Sequence, residues 1–451
     1  MLKIQIPETW ASEREYIVSV LFEEFLGLDI SITKAKIDHT LCQYEGSDST
    51  LKIKDGFFNM KPSEWQTEKT LTNSPFSKFN VKKFPFLCST FEIPVLFGQP
   101  DIDIDEKNIC LHVDILGSCF YMLSRYEESV LHERDSHGRF SSKAARTPYD
   151  RPLVNEYTEL LWSCLSFLWP FLSRKQRIFR LMPSHDVDFL LRYPHWTSIG
   201  YELAKDIIKQ KWSLAFNLAF KGLQSYFGDI KKDPYNTFDW LMSQSEKKNL
   251  VSTFYFITHH PAGRKDCTYE FNSPFIRKLL KNIHERGHLI GLHGSYLSSE
   301  KRGLILKEFS LLKQICDEEK INQESFGNRQ HFLKITPETW LELNDLNLKY
   351  DTSLGFAECV GFRSGTCYEY PIYDLENQKK LTLKQRPLVV MDCSLQEKKY
   401  MNLSPEKALT HIQSLKKTCA LFKGDFTLLL HNHRLINPEY QQLYLKAIES
   451  D

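Results

Sequence analysis

The chain has 451 residues, of which 42% are hydrophobic and 25% are charged; this composition is typical of a globular protein and unlike that of disordered, collagen-like or membrane chains. Its length exceeds what one hydrophobic core usually organises, so two domains are expected. The 58 basic and 57 acidic residues nearly cancel, so the chain has no net charge that would attract nucleic acid or anionic lipid. This balance favours a neutral substrate such as a sugar.

The first residues, MLKIQIPETWASEREY, are interrupted by charges and do not have the pattern of a signal peptide. Eleven cysteines lie between Cys42 and Cys419 without a CxxC pair, a distribution typical of buried thiols in a reducing compartment. The most apolar run, 160–172, contains Pro170 and is shorter than the ~20 residues that cross a bilayer. We therefore expect a cytoplasmic protein without a transmembrane segment.

Residues 1–175 are expected to form an α+β accessory domain. Ser12 can cap a first helix whose apolar face begins at Ile17. Short strand-like runs follow, and the pattern becomes helical again between 114 and 162. The charged stretch at 133–140 indicates either a buried interdomain network or a wall of the substrate site, and no catalytic residue is expected in this domain.

A helical segment rich in lysine and phenylalanine, at 195–235, is predicted to be an insertion in the second half of the chain. Its apolar residues are expected to pack in a core, with contact to a partner or to a lipid tail as the alternative. These residues include Phe216, Leu218, Phe220, Leu223 and Phe227.

The rest of residues 176–451 alternates apolar strand candidates with amphipathic helices, as parallel βα units do. Helices are predicted to begin at Ser273 and at Ser404, because each serine can cap a helix and is followed by a proline suited to the first turn. Strands are predicted at 288–293 and 426–430. In such folds the carboxyl ends of the strands meet at one edge, where catalytic groups collect.

Asp186 and Asp188 stand two residues apart at one predicted strand end, so their side chains point the same way. One could hold a divalent metal while the other accepts a proton from water, although a pair of capping aspartates fits the same pattern. His293 ends a strand and is either a nitrogen ligand or a structural histidine. The sequence contains no glycine-rich phosphate loop, serine nucleophile elbow or HExxH helix, which favours metal hydrolysis.

Two further residues at strand ends are suited to proton transfer or charge pairing. His431 follows three leucines and projects from a rigid strand end, where it could protonate a leaving amine or be a hydrogen-bonded core residue. Arg329 could pair with a catalytic carboxylate or could lie on the surface as a solvated side chain.

The order of these motifs resembles that of the polysaccharide deacetylase family, which has the NodB homology domain and is also known as carbohydrate esterase family 4. The aspartate-pair motif of the family resembles 184–188, and its Gly-His strand leading to a ligand histidine resembles 287–293. Its later motifs resemble the arginine segment 328–331, the segment 350–353 and the leucine-rich strand 428–431.

The resemblance implies a distorted (β/α) barrel behind the N-terminal domain, which is itself similar to an accessory domain that accompanies some deacetylases. It implies that Asp188 and His293 bind zinc or a similar cation. It further implies that Asp186 is the general base, oriented by Arg329, and that His431 is the general acid. The implied reaction is hydrolysis of the N-acetyl group of an amino sugar in a poly- or oligosaccharide or its precursor, with release of acetate.

The sequence departs from the family pattern at Leu297, where a second ligand histidine is usual. Ser298 is the expected third ligand, directly or through water, with Ser295 or either of His259 and His260 as alternatives. Because an oxygen ligand weakens the preference for zinc, cobalt or nickel would also fit.

Two residues are candidates for substrate binding. His331 stands where the family more often has proline, and it is therefore expected to shape the groove for a different sugar. Arg363 lies in the polar, glycine-flanked stretch 361–366 and is expected either to bind substrate or to fix a long loop.

Two other interpretations of the chain stay open. One is a catalytically inactive relative that binds glycans without a metal. The other is an amidohydrolase of another small C–N substrate, since one barrel fold can host different chemistries.

Overall fold

The structure is a computed structural model and describes residues 1–82, 92–208, 212–226 and 230–449. Contacts divide the chain into two compact units. The first unit contains 1–180, 354–389 and 414–426, and the second contains 181–353, 390–413 and 427–451. The predicted accessory segment 1–175 thus lies within the first unit, together with two later segments, and its independence as a domain stays a prediction.

The elements up to residue 168 alternate short strands with helices. They are β1 (Leu2–Pro7), α1 (Ala11–Val18), which continues as a π-helical segment (Ser19–Phe25), β2 (Ile30–Ala35), β3 (His39–Tyr44), β4 (Thr50–Lys54), β5 (Ser77–Asn80), β6 (Glu92–Val95), β7 (Gly98–Ile104), β8 (Asn108–Val113), α2 (Ile115–Leu123), α3 (Tyr126–Val130) and α4 (Leu153–Leu168).

The main sheet of the first unit has the strand order β2-β1-β3-β4-β8-β7. In β1 the side chains of Leu2, Ile4 and Ile6 are buried and alternate with exposed polar ones, so one face of the sheet covers the core. The predicted cap at Ser12 is wrong. Trp10 holds the cap position of α1 in the left-handed region, with φ of 54°, and Ser12 lies inside the helix.

The middle of the chain forms alternating strands and helices. They are β9 (Arg180–Val187), α5 (Trp196–Ile208), α6 (Trp212–Tyr226), α7 (Phe238–Glu246), β10 (Thr253–Phe256), α8 (Pro274–Glu285), β11 (Leu289–Gly294), α9 (Leu304–Glu318), β12 (Gly327–Gln330), α10 (Pro337–Asp345) and β13 (Tyr350–Asp351).

The last part of the chain contributes to both units. Its elements are β14 (Tyr370–Asp374), β15 (Lys379–Gln385), β16 (Val390–Met391), α11 (Asp392–Gln396), α12 (Pro405–Leu421), β17 (Asp425–Leu429) and α13 (Pro438–Ala447). The hairpin of β14 and β15 belongs to the first unit. The predicted helix starts after Ser273 and Ser404 are confirmed, because α8 and α12 begin at the prolines that follow.

The second unit is built on strands in the order β13-β12-β11-β10-β9-β17-β16. The pairs from β13 to β9 run parallel, as do β16 and β17. All residues of β10 and β12 are buried, as expected for parallel strands covered on both faces. The mixed α/β class is confirmed, and the sheet curls into a half barrel whose strands end at one edge.

The predicted helical insertion at 195–235 is a hairpin of α5 and α6 followed by a short 3₁₀ turn at 230–232. Residues 209–211 and 227–229, which include Phe227, lie outside the described residues. Leu218 is buried as expected, but Phe216, Phe220 and Leu223 are exposed, so the expected core packing of these three is wrong. None of the helices in the described ranges combines the length and apolar character needed to cross a bilayer.

The close pairing of β12 with β13 allows a test of the packing. Gly327 stands opposite Tyr350 in the register, and a Cβ at Gly327 would overlap the Tyr350 ring. We expect Gly327→Ala to lower the free energy of unfolding by about 1–3 kcal/mol through overpacking. Urea denaturation measures it, with Gly200→Ala as control. Gly200 lies in α5 with open space around it, and that change should be neutral or stabilising by up to about 1 kcal/mol; equal losses in both variants would contradict the expectation.

Candidate metal and catalytic site

The strand ends of the second unit bring together most of the residues that the sequence singled out. Asp186 lies on β9 and Asp188 directly follows it. His293 is on β11 and is paired in register with Arg329 on β12, and His431 lies two residues beyond the end of β17. All five residues are buried. The alternation of side chains along parallel strands therefore directs them to one enclosed place.

Asp188 and two histidines form a group that could hold a metal ion. His293 Nε2 lies 3.3 Å from Asp188 Oδ1, and His331 Nε2 lies 3.7 Å from the same oxygen. The ligand atoms of Asp188, His293 and His331 all lie within 4.8 Å of one another. Two imidazole nitrogens and one carboxylate oxygen, with room for a further ligand, are a typical donor set for catalytic zinc.

Contacts behind the two imidazoles set which nitrogen faces Asp188. His293 Nδ1 lies 2.7 Å from the carbonyl oxygen of Arg329, so Nδ1 must carry a proton, and in the neutral ring Nε2 has a free lone pair. His331 Nδ1 faces Asp266 Oδ1 at 3.5 Å. Asp266 in turn accepts hydrogen bonds from the backbone N–H groups of Ala262 and Tyr296. Such outer partners fix ring orientation and raise the basicity of metal ligands.

Three buried atoms of this group have no hydrogen-bond partner in the part of the chain that the structure describes. They are Asp188 Oδ1, His293 Nε2 and His331 Nδ1, and leaving buried polar atoms without a partner costs free energy. Burial alone would raise the pKa of Asp188, but His331, His293 and His431 lower it. An ionised carboxylate and a free imidazole lone pair are the states that bind a cation, so the residues present fit a divalent metal.

Asp186 is held by Arg329 on the neighbouring side of the group. Arg329 Nη1 lies 3.3 Å from Asp186 Oδ1, and its Nη2 donates to Ser184 Oγ at 2.9 Å. The guanidinium also lies over the Tyr255 ring, 4.8 Å from its centroid. Arg329 is 1% exposed, so it contacts Asp186 in the interior and is unlike a solvated surface arginine.

His431 forms a buried pair with a residue that the sequence did not assign a role. Its Nδ1 lies 2.8 Å from Asp392 Oδ1, and its backbone N–H donates to Asp392 Oδ2. Its Nε2 faces Asp188 Oδ2 at 3.6 Å. Burial alone would lower the pKa of His431, but Cys393 and Asp392 raise it well above its usual range. The imidazole is therefore set up to hold a proton beside Asp188.

The expected third ligand, Ser298, is bonded elsewhere. Its hydroxyl oxygen lies 2.7 Å from both the Ser295 carbonyl oxygen and Gln330 Oε1. His260 faces the exposed Glu270 at 3.2 Å, and His259 is also outside the group formed by Asp188, His293 and His331. The structure thus brings His331, which was expected to shape the sugar groove, into the position next to His293.

Arg363 lies in the first unit, where it pairs with Glu128. Its Nε and Nη2 donate to the two carboxylate oxygens of Glu128, and its Nη1 donates to the Gly355 carbonyl oxygen. Burial raises the pKa of Glu128, but Arg125 and Arg363 outweigh it and lower the pKa to about 2. These contacts are those of a residue that fixes a loop, and the substrate-binding role of Arg363 stays a prediction.

Residues 2–170 match the profile of DUF7033, a family of unknown function. No curated protein sequence matches the chain. Similar solved structures include a Mycobacterium smegmatis protein described as a polysaccharide deacetylase, 14% identical over 61% of this chain and 84% of that one, TM-score 0.39. The allantoinase PuuE is 11% identical over 71% of this chain and 91% of that one, with a TM-score of 0.37. A polysaccharide deacetylase of Bacillus cereus is 13% identical over 60% of this chain and 86% of that one, with a TM-score of 0.28. Likenesses this weak do not decide the function, which has to follow from the site itself.

The two interpretations of Arg363 predict different outcomes for Arg363→Ala. A buried ion pair that loses one partner leaves an uncompensated charge, so we expect the free energy of unfolding to fall by about 3 kcal/mol. Urea denaturation measures it, with Arg180→Ala as control. Arg180 pairs with Asp425 in the same unit and is half exposed, so its loss should cost about 1 kcal/mol or less. An Arg363→Ala protein of unchanged stability and weakened substrate binding would contradict the loop-fixing interpretation.

Proposed function

We propose that this protein is a metal-dependent hydrolase that removes the N-acetyl group of an amino sugar in a poly- or oligosaccharide or its precursor and releases acetate. The observation that carries the proposal is the buried group of Asp188, His293 and His331. It is flanked by Asp186, which Arg329 contacts, and by His431, which Asp392 contacts. The motif order from 184 to 431 resembles that of polysaccharide deacetylases, and it supports a sugar as the substrate. The scattered cysteines favour a cytoplasmic setting.

The proposed metal ligands are Asp188, His293 and His331, with His331 in place of the expected Ser298. Two nitrogen donors favour zinc, and cobalt or nickel would also suit this set. Bound there, a divalent cation would lower the pKa of a water molecule and polarise the acetamide carbonyl.

Asp186 is proposed as the general base. It accepts a proton from the water whose oxygen attacks the carbonyl carbon, and its Oδ2 faces His293 Nε2 at 3.7 Å, beside the proposed metal ligands. Arg329 holds the other oxygen of the carboxylate, so Asp186 is fixed in one orientation. Positioned proton acceptors of this kind contribute about 10²–10⁴-fold to a reaction rate.

His431 is proposed as the general acid. The Asp392 carboxylate accepts the Nδ1 proton, which leaves Nε2 pointing toward Asp188 with the proton that can be transferred. This proton goes to the sugar nitrogen as its bond to the acetyl carbon breaks, so that the amine leaves neutral. Asp392 acts through His431 and is therefore a positioning residue.

Metal content distinguishes the two candidates for the third ligand. We expect purified wild type, supplied with zinc, to contain near-stoichiometric metal by mass spectrometry, and His331→Ala, His293→Ala and Asp188→Ala to lose most of it. Ser298→Ala is the control and should retain the metal, since its hydroxyl bonds to Gln330 and Ser295.

Acetate release from N-acetylated sugars, measured on the same samples, should follow the metal content. Loss of metal in Ser298→Ala with retention in His331→Ala would restore the serine as ligand. A wild type that binds neither zinc, cobalt nor nickel would contradict the proposed function and favour the glycan-binding alternative.

The pH dependence tests the pair of Asp392 and His431. His431 acts as an acid only while it is protonated, and Asp392 raises its pKa. Asp392→Asn should therefore lower the pKa of His431, move the alkaline limb of kcat/KM to lower pH, and reduce kcat by about 10²-fold. Metal content should be unchanged, and Asp392→Glu should restore part of the activity. An alkaline limb that does not move would show that Asp392 does not set the protonation of His431.

A further inference from the structure

The hairpin of α5 and α6 concentrates exposed apolar side chains. In the described part of the chain, thirteen large apolar residues are exposed, and seven of them lie between 201 and 230, where they are 36% to 81% exposed. Single exposed apolar residues are ordinary on a protein surface, but a contiguous patch marks an interaction site. Their concentration in α5, α6 and the turn after them makes this part of the surface a candidate interaction site.

The apolar surface of α6 is wider than the part that is buried. Trp212, Phe216, Phe220 and Leu223 are exposed and lie within an arc of about 80°, at ~100° per residue. The adjoining inner face is already covered by α5 and by the segment before it. There Ala219 packs with Tyr193 and Ile199, and a Cβ at Gly222 would lie 2.7 Å from the Tyr193 ring. The outer apolar face is thus not needed to hold the hairpin together.

The same hairpin is basic, although the whole chain carries a net charge of only +1. Residues 196–232 contain six lysines and three acidic residues, a difference of +3. The acidic Glu202 and Asp206 face inward to Arg192. Lys221, Lys231 and Lys232 are exposed.

We propose that the outer face of α6 docks on an anionic lipid surface, together with the exposed lysines of α6 and of the turn that follows it. Tryptophan and phenylalanine favour the boundary between headgroups and acyl chains, and lysines beside them attract anionic headgroups. The helices have 13 and 15 residues, fewer than the ~20 that span a bilayer, so the hairpin lies in the plane of the interface. The proposal is independent of the proposed hydrolysis.

The charge of the hairpin favours a lipid over a second copy of the chain. In a twofold dimer the same patch occurs on both sides. The exposed lysines of one copy would then meet those of the other, and like charges across an interface oppose association. An anionic surface has the complementary charge instead.

Flotation with lipid vesicles tests the proposal on the full chain. We expect wild type to bind vesicles of phosphatidylcholine and phosphatidylglycerol in equal amounts, and to bind phosphatidylcholine vesicles much more weakly. The double variant Phe216→Ser with Phe220→Ser should bind at least about tenfold more weakly, because two aromatic anchors are lost. Lys231→Glu with Lys232→Glu should bind more weakly and with a smaller dependence on salt.

Leu306→Ser is the matched control, because Leu306 is an exposed apolar residue on α9, away from the hairpin sequence. It should bind like wild type, and all variants should keep the unfolding midpoint and the metal content of wild type. Failure of wild type to bind anionic vesicles would overturn the proposal. So would a dimer, measured by light scattering, that Phe216→Ser with Phe220→Ser dissociates while vesicle binding is absent.

Discussion

The Asp188 carboxylate, buried among three imidazoles, is the group on which the candidate site depends. One of its oxygens faces His293 and His331, and the other faces His431. Removing a carboxylate from water costs several kcal/mol unless positive charge or hydrogen bonds replace the lost hydration. The surrounding histidines supply part of that charge when protonated, and a divalent cation would supply it while leaving the imidazoles neutral. The same burial that makes Asp188 costly on its own thus favours cation binding.

Two pairs of opposite composition flank this carboxylate. On one side Asp186 accepts a hydrogen bond from Arg329, and on the other His431 donates to Asp392. For His431, Cys393 and Asp392 raise the pKa against the effect of burial. A protonated imidazole and a carboxylate in one enclosed place are the groups that acid and base roles need.

The sequence predicted the strand-end positions because parallel βα units place such residues at one edge. It did not predict the third member of the group with Asp188 and His293, since the family pattern points to Leu297 and its neighbour Ser298. A signal was present, because His331 is a nitrogen donor only two residues beyond Arg329 and directly follows β12. Asp392 directly follows β16 and so reaches the same edge, but nothing in the sequence pairs it with His431. Asp266 lies in a segment without periodicity, so only the three-dimensional structure brings it to His331.

The outer face of α6 shows a second limit of sequence patterns. Leu218 and Phe216 differ little in hydrophobicity, and the sequence of a helix that is apolar over much of its circumference does not reveal which part meets solvent. The positions of the small residues do indicate which part is buried. Ala215, Ala219 and Gly222 lie where α6 is buried, and close approach there excludes larger side chains.

The backbone after β12 explains how His331 reaches Asp188. Phe332 and Leu333 both adopt positive φ, 62° and 56°, a conformation that costs about 1–3 kcal/mol at each residue without glycine. Two such residues in succession turn the chain sharply, directly after His331. Asp266 then stands behind the ring and Asp188 in front of it. Strained backbone of this kind is often found where a side chain has to be positioned, which agrees with the proposed role of His331 as a metal ligand.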